Sequence, residues 1–283
     1  MTDLIPLPQH IIDDAIKAAI AEDFGRAGDI TSDSIIPADM RTKVALRARI
    51  DGCIAGTDFA VAAFSFLDHD AKITVHLPDG SEVKAGDTIL TIEGNARAIL
   101  GAERVALNFM GRMSGIASVT REIVNSVKDT KARITCTRKT TPGLRAIEKY
   151  AVRAGGGFNH RFGLDDAILI KDNHIAVIGG VKQAINRAKS HTGHMVKIEV
   201  EVDTLEQLAE ALEAGADVIL LDNMTPEMLT KAVKMIDGKA VAEASGGVTA
   251  ETAPSIAASG VDVISIGWLT HSAPNMDLGL DTL

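Results

Sequence analysis

The chain has 283 residues, 46% of them hydrophobic, and a formal net charge of -9. That length and apolar share suffice for one large core or two smaller ones, while the acidity and an aromatic share of 3% argue against DNA and single-stranded nucleic acid as partners. No uncharged apolar stretch reaches the length of a membrane span, Met1-Thr2-Asp3-Leu4 lacks the basic start of a secretory leader, and Cys53 and Cys136 make neither a metal-ligand spacing nor a disulfide framework, so a reducing cytosol is expected.

In chain order, Pro8–Glu22 reads as an amphipathic helix, and Thr42–Ile50 and Lys72–Leu77 as short strands with period-two alternation. Glu82–Glu93 reads as a hairpin-like unit turning at Lys84-Ala85-Gly86-Asp87, structural because no lysine stands where biotin or lipoate carriers place one. A long helix from Ala102 to Lys128 links this region to a second one of different texture. There Ala132–Thr137 and Asp166–Ile170 read as strands, followed by strands at Met195–Val202, Asp217–Leu221, Lys239–Ala244 and Val261–Ile266. Thr204-Leu205-Glu206-Gln207 has the form of a capping box, starting a helix over Leu205–Ala214 that Gly215 ends. Thr225-Pro226 starts the next helix and Thr249 caps another.

Ala214-Gly215-Ala216-Asp217-Val218-Ile219 and Ser259-Gly260-Val261-Asp262-Val263-Ile264 match almost position for position, 45 residues apart (262 minus 217), a distance that holds two strand–helix units. Units so short point to a β/α barrel rather than an open doubly wound sheet. G-x-G-x-x-G and Walker-type phosphate loops are missing from the sequence, which weakens dinucleotide and P-loop readings.

Charge reverses locally. Nine Lys or Arg stand between Lys131 and Lys171 in this acidic chain, gathered around Thr137-Arg138-Lys139-Thr140, His160-Arg161 and Lys171-Asp172-Asn173-His174. A solvated basic face is the bland reading, but these clusters follow strand-like runs, and Arg suits two-pronged binding of carboxylate or phosphate. In a β/α barrel, residues at the C-terminal strand ends build the active site. Those ends deliver Arg138 and Lys139, then Lys171, then Glu199 and Glu201 on one face, then Asp222-Asn223, then Ser245-Gly246-Gly247, and last Gly267. A basic half thus faces an acidic half. Ser245-Gly246-Gly247 ahead of the Thr249 helix resembles a barrel phosphate site. Glu201 and Asp222 are hard oxygen ligands suited to magnesium (Mg2+) shared with substrate phosphates, or else partners of Lys171. His160, beside Arg161 and after Gly155-Gly156-Gly157, is a fair anion donor, whereas His174 reads as a packing or supporting residue.

These phrases resemble the quinolinate phosphoribosyltransferase family. The likeness rests on Ala102-Glu103-Arg104-Val105-Ala106-Leu107-Asn108, Ser114-Gly115-Ile116-Ala117, Thr137-Arg138-Lys139-Thr140-Thr141-Pro142-Gly143, Gly156-Gly157-Phe158-Asn159-His160-Arg161 and Leu169-Ile170-Lys171-Asp172-Asn173-His174. It continues through Glu199-Val200-Glu201-Val202, Leu221-Asp222-Asn223-Met224 and Ala244-Ser245-Gly246-Gly247, so it covers almost the whole chain. Val105, where Thr is more usual, is the one departure, and no position used for chemistry departs.

The resemblance implies an α/β fold: an incomplete β/α barrel over 106–270, preceded by a small α/β sandwich domain over 1–105 and followed by a tail, 271–283, packing on the sandwich. It implies attack of the quinolinate ring nitrogen on C1 of 5-phosphoribosyl-1-pyrophosphate, loss of pyrophosphate and CO2, and formation of nicotinate mononucleotide for de novo NAD synthesis. Arg104, Arg138, Lys139, His160, Arg161 and Lys171 would meet the anionic substrates. Ser245, Gly246, Gly247 and Gly267 would hold the 5-phosphate. Lys139, Lys171, Glu201 and Asp222 would carry the catalytic step, the two acids with Mg2+. A homodimer is implied, with Arg104 entering the partner's site. Two alternatives share most of these motifs: a phosphoribosyltransferase for another acidic ring, as in relatives found with molybdate-transport systems, and a non-catalytic phosphosugar-binding protein.

Overall fold

In chain order the elements are α1 (Gln9–Phe24), α2 (Ile30–Ile35), β1 (Arg41–Ala48), β2 (Gly52–Cys53), α3 (Thr57–Leu67), β3 (Lys72–Val75), β4 (Glu82–Val83) and β5 (Thr88–Asn95). Then come α4 (Ala96–Ser126), β6 (Arg133–Thr135), α5 (Arg145–Ala154), β7 (Ile168–Ile170), α6 (Asp172–Ile178), α7 (Val181–His191) and β8 (Ile198–Val202). The chain closes with α8 (Leu205–Ala214), β9 (Val218–Asp222), α9 (Pro226–Ile236), β10 (Val241–Ser245), α10 (Ala253–Ala258), β11 (Val263–Ser265), α11 (Trp268–His271) and β12 (Leu278–Thr282). The structure is a computed structural model and describes residues 4–283; Met1-Thr2-Asp3, read above for a leader, lie outside the described residues.

Two compact units result. One takes the chain up to Arg121 with 141–156 and 272–283; the other takes 122–140 and 157–271. The expected boundary at residue 105 therefore differs from the observed one. It falls inside α4, a continuous 31-residue helix with no break to mark a border, and α5 returns to the first unit although it lies between barrel strands.

In the first unit, Ile12, Ile16 and Ile20 recur every four residues along α1 and are buried, as one apolar helix face requires. Its main sheet runs β12-β1-β5-β3, with β1 antiparallel to both neighbours. The hairpin expected over Glu82–Glu93 is overturned. The chain does reverse at Lys84–Asp87, where the Lys84 N–H meets Asp87 and Asp51 accepts from Lys84 Nζ and the Ala85 N–H. Yet β4 pairs with β2 while β5 lies between β1 and β3. Tertiary pairing, not the turn, chose the partners.

The second unit holds a parallel sheet in the order β6-β11-β10-β9-β8-β7. The first and last of these strands in the chain are thus neighbours, as in a barrel. Phe158 adds a parallel bridge beside Thr135, and the ring is interrupted between that segment and β7. This is the incomplete barrel. The repeated phrase has a structural reason: Asp217 accepts the Ile198 N–H at the start of β8, and Asp262 accepts the Ala242 N–H near the start of β10. Each aspartate ties the start of one strand to its neighbour, fixing parallel register. Thr204 and Gln207 form the expected capping box on α8, and Gly215 ends that helix at φ 73. Thr249 does not cap the next helix. It exchanges hydrogen bonds with Thr252 in a turn, and α10 starts only at Ala253.

Candidate active site

Side chains alternate along a strand, so Glu199 and Glu201 of β8 face the same side, as do Leu220 and Asp222 of β9 and Glu243 and Ser245 of β10. Two cavities lie at opposite ends of these strands. The first, about 360 Å³, is lined at the C-terminal ends by Thr137, Lys139, Asp222, Ser245, Gly246, Gly247 and Gly267, all but the first of them expected from the sequence. Asn223, delivered with Asp222 at the same strand end, lines it as well. Trp268 and His271 also line it and were not expected, and nothing in the sequence singles them out.

The glycines shape this mouth. Gly246 and Gly247 have φ of 96° and 59°, the left-handed region that glycine adopts without a Cβ clash. α10 starts only at Ala253, so the helix terminus expected just behind them is absent. Gly267 sits against Lys139: a Cβ there would lie 2.8 Å from Lys139 Cδ. Lys139 is held through its backbone, its N–H donating to Thr137 and its carbonyl accepting from Thr270 Oγ1 at 2.7 Å.

The acidic side of the mouth is coherent. Lys171 Nζ lies 3.3 Å from Glu201 Oε2, and the Lys171 N–H donates to His174 Nδ1 at 3.0 Å. His174 therefore supports the turn that presents Lys171. Burial, chiefly, pushes the Glu201 carboxyl above its ordinary pKa, with Asp222 adding to the rise and Lys171 opposing it. Asp222 is raised by burial and then by Asp203, against the pull of Lys171 and Lys139. Two half-buried carboxylates that repel each other beside two lysines suit a divalent cation through hard oxygen donors, and the residues present fit Mg2+ on that ground.

The second cavity, about 310 Å³, lies at the strand starts, with Arg133, Ile168, Val218, Val241 and Val263 on its wall. His160 and Arg161, which the sequence placed only after the Gly155-Gly156-Gly157 run, line it too. Arg161 Nη1 donates to the Ala167 carbonyl at 2.9 Å, across the interruption in the ring. Burial lowers the Arg161 pKa first, and the positive charge of Arg138 lowers it further. The Nε atoms of both guanidinium groups are buried with no hydrogen-bond partner among the described residues.

His160 is engaged by protein groups on both sides of its ring. Its Nε2 lies 3.1 Å from Glu199 and 3.5 Å from Glu243, and its Nδ1 accepts the Arg161 N–H at 2.8 Å. Both ring nitrogens are committed to protein groups, because two buried carboxylates inside the barrel draw the imidazole toward them. Glu243 was missed altogether, although its alternation with Ser245 puts it on the interior face. Arg104 lies on α4 in the first unit, exposed and with no hydrogen bond or ion pair among the described residues.

Residues 29–114 match the N-terminal domain, and residues 116–281 the C-terminal domain, of quinolinate phosphoribosyl transferase. The chain is 47% identical over 260 residues to a probable nicotinate-nucleotide pyrophosphorylase [carboxylating] of Bacillus subtilis, covering 92% of this chain and 89% of that one. It is 43% identical over 273 residues to the nicotinate-nucleotide pyrophosphorylase [carboxylating] of Mycobacterium leprae, covering 95% and 96%. The structure of the nicotinate-nucleotide pyrophosphorylase from Francisella tularensis superposes with a TM-score of 0.94 at 38% identity, covering 100% of both chains. In sequence along its length and in fold, this chain belongs to the quinolinate phosphoribosyl transferase family.

Proposed function

We propose that the chain transfers the phosphoribosyl group of 5-phosphoribosyl-1-pyrophosphate to quinolinate, releasing pyrophosphate and CO2 and leaving nicotinate mononucleotide for NAD synthesis. The observation that carries the substrate choice is the closeness of two guanidinium groups, Arg138 and Arg161, whose charges act on each other. Two neighbouring cations repel unless an anion lies between them, and a ligand bearing two adjacent carboxylates pairs with both.

The roles follow from position. Arg138 and Arg161 orient the ring so that its nitrogen faces C1 of the ribose. The amides around Gly246, Gly247 and Gly267, with Ser245, hold the 5-phosphate. As the bond from C1 to pyrophosphate breaks, positive charge grows on the sugar, and Glu201 and Asp222 stabilise it or grip the ribose hydroxyls. Lys139 and Lys171 meet the negative charge of the departing pyrophosphate. Mg2+ held by Glu201 and Asp222 would supply further charge neutralisation on that leaving group. The 2-carboxylate then leaves as CO2, its bonding electrons passing to C2, which takes up a proton. No covalent enzyme intermediate is needed. Cys53 and Cys136 are buried and form no disulfide, which suits a reducing compartment such as the cytosol, and among the described residues no helix is long and apolar enough to cross a membrane.

The test is a comparison of acids. With phosphoribosyl pyrophosphate and Mg2+ present, kcat/KM for quinolinate is expected to exceed that for nicotinate by about two orders of magnitude or more, because nicotinate leaves cationic donors unmatched. Equal values for the two acids would overturn the assignment.

A further inference from the structure

Three ionisable side chains that no step above uses lie together inside the barrel. His160 Nε2 lies 3.1 Å from Glu199 Oε2 and 3.5 Å from Glu243 Oε1. The two glutamates are 6% and 4% exposed. Nδ1 accepts the Arg161 backbone N–H at 2.8 Å. That bond selects the tautomer: Nδ1 is an acceptor, so the ring hydrogen sits on Nε2 and points at the carboxylates. The same bond argues against a metal ion, although the three ligand atoms lie within 4.8 Å of one another. A metal on Nε2 would need Nδ1 to carry the hydrogen and donate it.

One neutral imidazole offers one hydrogen to two carboxylates in a site nearly closed to water. Two buried carboxylates so close do not both ionise readily. Glu243 is the one that keeps a proton. Its Oε1 makes no hydrogen bond among the described residues. Burial, and then the charge of Glu199, push its pKa up to about 7, with His160 and Ser265 pulling the other way. The elements around it contribute Glu199 from β8, Ser265 from β11 and His160 from the segment before β7, while β9 sets the apolar Leu220 in register with it. Arg133, Arg161, Lys197 and Asp166 are the other charged groups on the same cavity wall.

We propose that Glu199 and Glu243 are positioning residues for the acid substrate: through His160 they hold the backbone of Arg161, and so its guanidinium, where it receives a carboxylate. The proposal rests on the substrate reading above. While Glu243 is neutral, Nδ1 stays free of hydrogen and grips the Arg161 N–H. When Glu243 ionises, its proton passes to solvent and a second negative charge is left beside His160 on the cavity wall that Arg161 shares. That added charge competes with the substrate for the guanidinium. Quinolinate use falls as pH rises through the titration of Glu243.

Initial rates of wild type, E243Q and E243A across the neutral range, each substrate varied in turn, test this. E243Q carries a permanently neutral side chain of the same shape. Wild-type kcat/KM for quinolinate is expected to fall through an apparent pKa of about 7, and E243Q to lack that fall. E243A is expected to raise KM for quinolinate about tenfold, with KM for phosphoribosyl pyrophosphate within about twofold of wild type, and E243Q to reverse most of the rise. Superimposable pH profiles for wild type and E243Q, or equal rises in both KM values, would overturn the proposal. Should E243A not fold, the E243Q profile decides alone. Nitrogen NMR of His160 separates this idea from the substrate reading. An unprotonated Nδ1 below neutral pH supports the cluster whatever the substrate, and a protonated one refutes it. A wild-type protein that ignores quinolinate refutes the substrate reading instead.

Discussion

At single residues, backbone conformation decides what the mouth can hold. Asn223 has φ 53 and donates its N–H to the Ser245 carbonyl at 2.9 Å, which brings the ends of β9 and β10 together. Gly246 packs against it so closely that an added Cβ would lie 2.9 Å from the Asn223 backbone nitrogen. Gly246→Ala therefore has two faults, a disfavoured φ and a backbone clash. It is expected to lower stability by about 1–3 kcal/mol and to raise KM for phosphoribosyl pyrophosphate more than KM for quinolinate. Thermal melts and rates with each substrate varied check both parts. Glu201 and Asp222 carry a second prediction at this scale. If they hold Mg2+, excess EDTA abolishes turnover and added Mg2+ restores it. Full turnover in chelator would leave the contact with Lys171 as the role of Glu201.

At the level of elements, α4 shows how a small residue sets a packing distance. Gly115 lies against the segment that leads into β12, and a Cβ there would lie 3.0 Å from the Pro274 carbonyl carbon. That segment reaches α4 again where the Met276 N–H donates to the Gly111 carbonyl at 2.9 Å. Gly115→Ala gains helix propensity but must push the tail away, and overpacking against backbone outweighs the propensity gain. A net loss of about 1–3 kcal/mol is expected, read as a fall of a few degrees in Tm for a domain of this size. Thr204→Ala, which removes only the α8 cap, is the milder comparison at about 1 kcal/mol.

At the level of the molecule, the exposed Arg104 on α4 raises the question of whose site it serves. We propose a homodimer in which Arg104 acts on the partner's substrate. Arg104→Ala and Lys139→Ala are each expected to abolish quinolinate turnover, since stripping one partner from a desolvated charge pair costs about 2–5 kcal/mol. Mixed under subunit exchange, the two inactive proteins form heterodimers in which one site carries both lesions and the other neither. Activity is expected to return to at most about half the wild-type value per heterodimer. If heterodimers are demonstrated by mass and no activity returns, Arg104 serves its own subunit.

By itself the sequence determined what depends on local pattern. The period-two strands, the capping box at Thr204 and the 45-residue repeat with its paired aspartates disclosed a barrel, because each is written in neighbouring residues. The same holds for Lys139, Glu201, Asp222 and the glycines, since a strand end announces which residues reach the mouth. Only the tertiary structure decided pairings made at long range. It sent β4 and β5 to different partners and joined the tail to β1 as a strand. It also set His160 against Glu199 and Glu243, residues 39 and 83 positions away (199 minus 160 and 243 minus 160). The reason is electrostatic and geometric together. A half-buried imidazole hydrogen-bonds the nearest buried carboxyl groups, and which of them are nearest is settled only when strands distant in the chain close into one sheet.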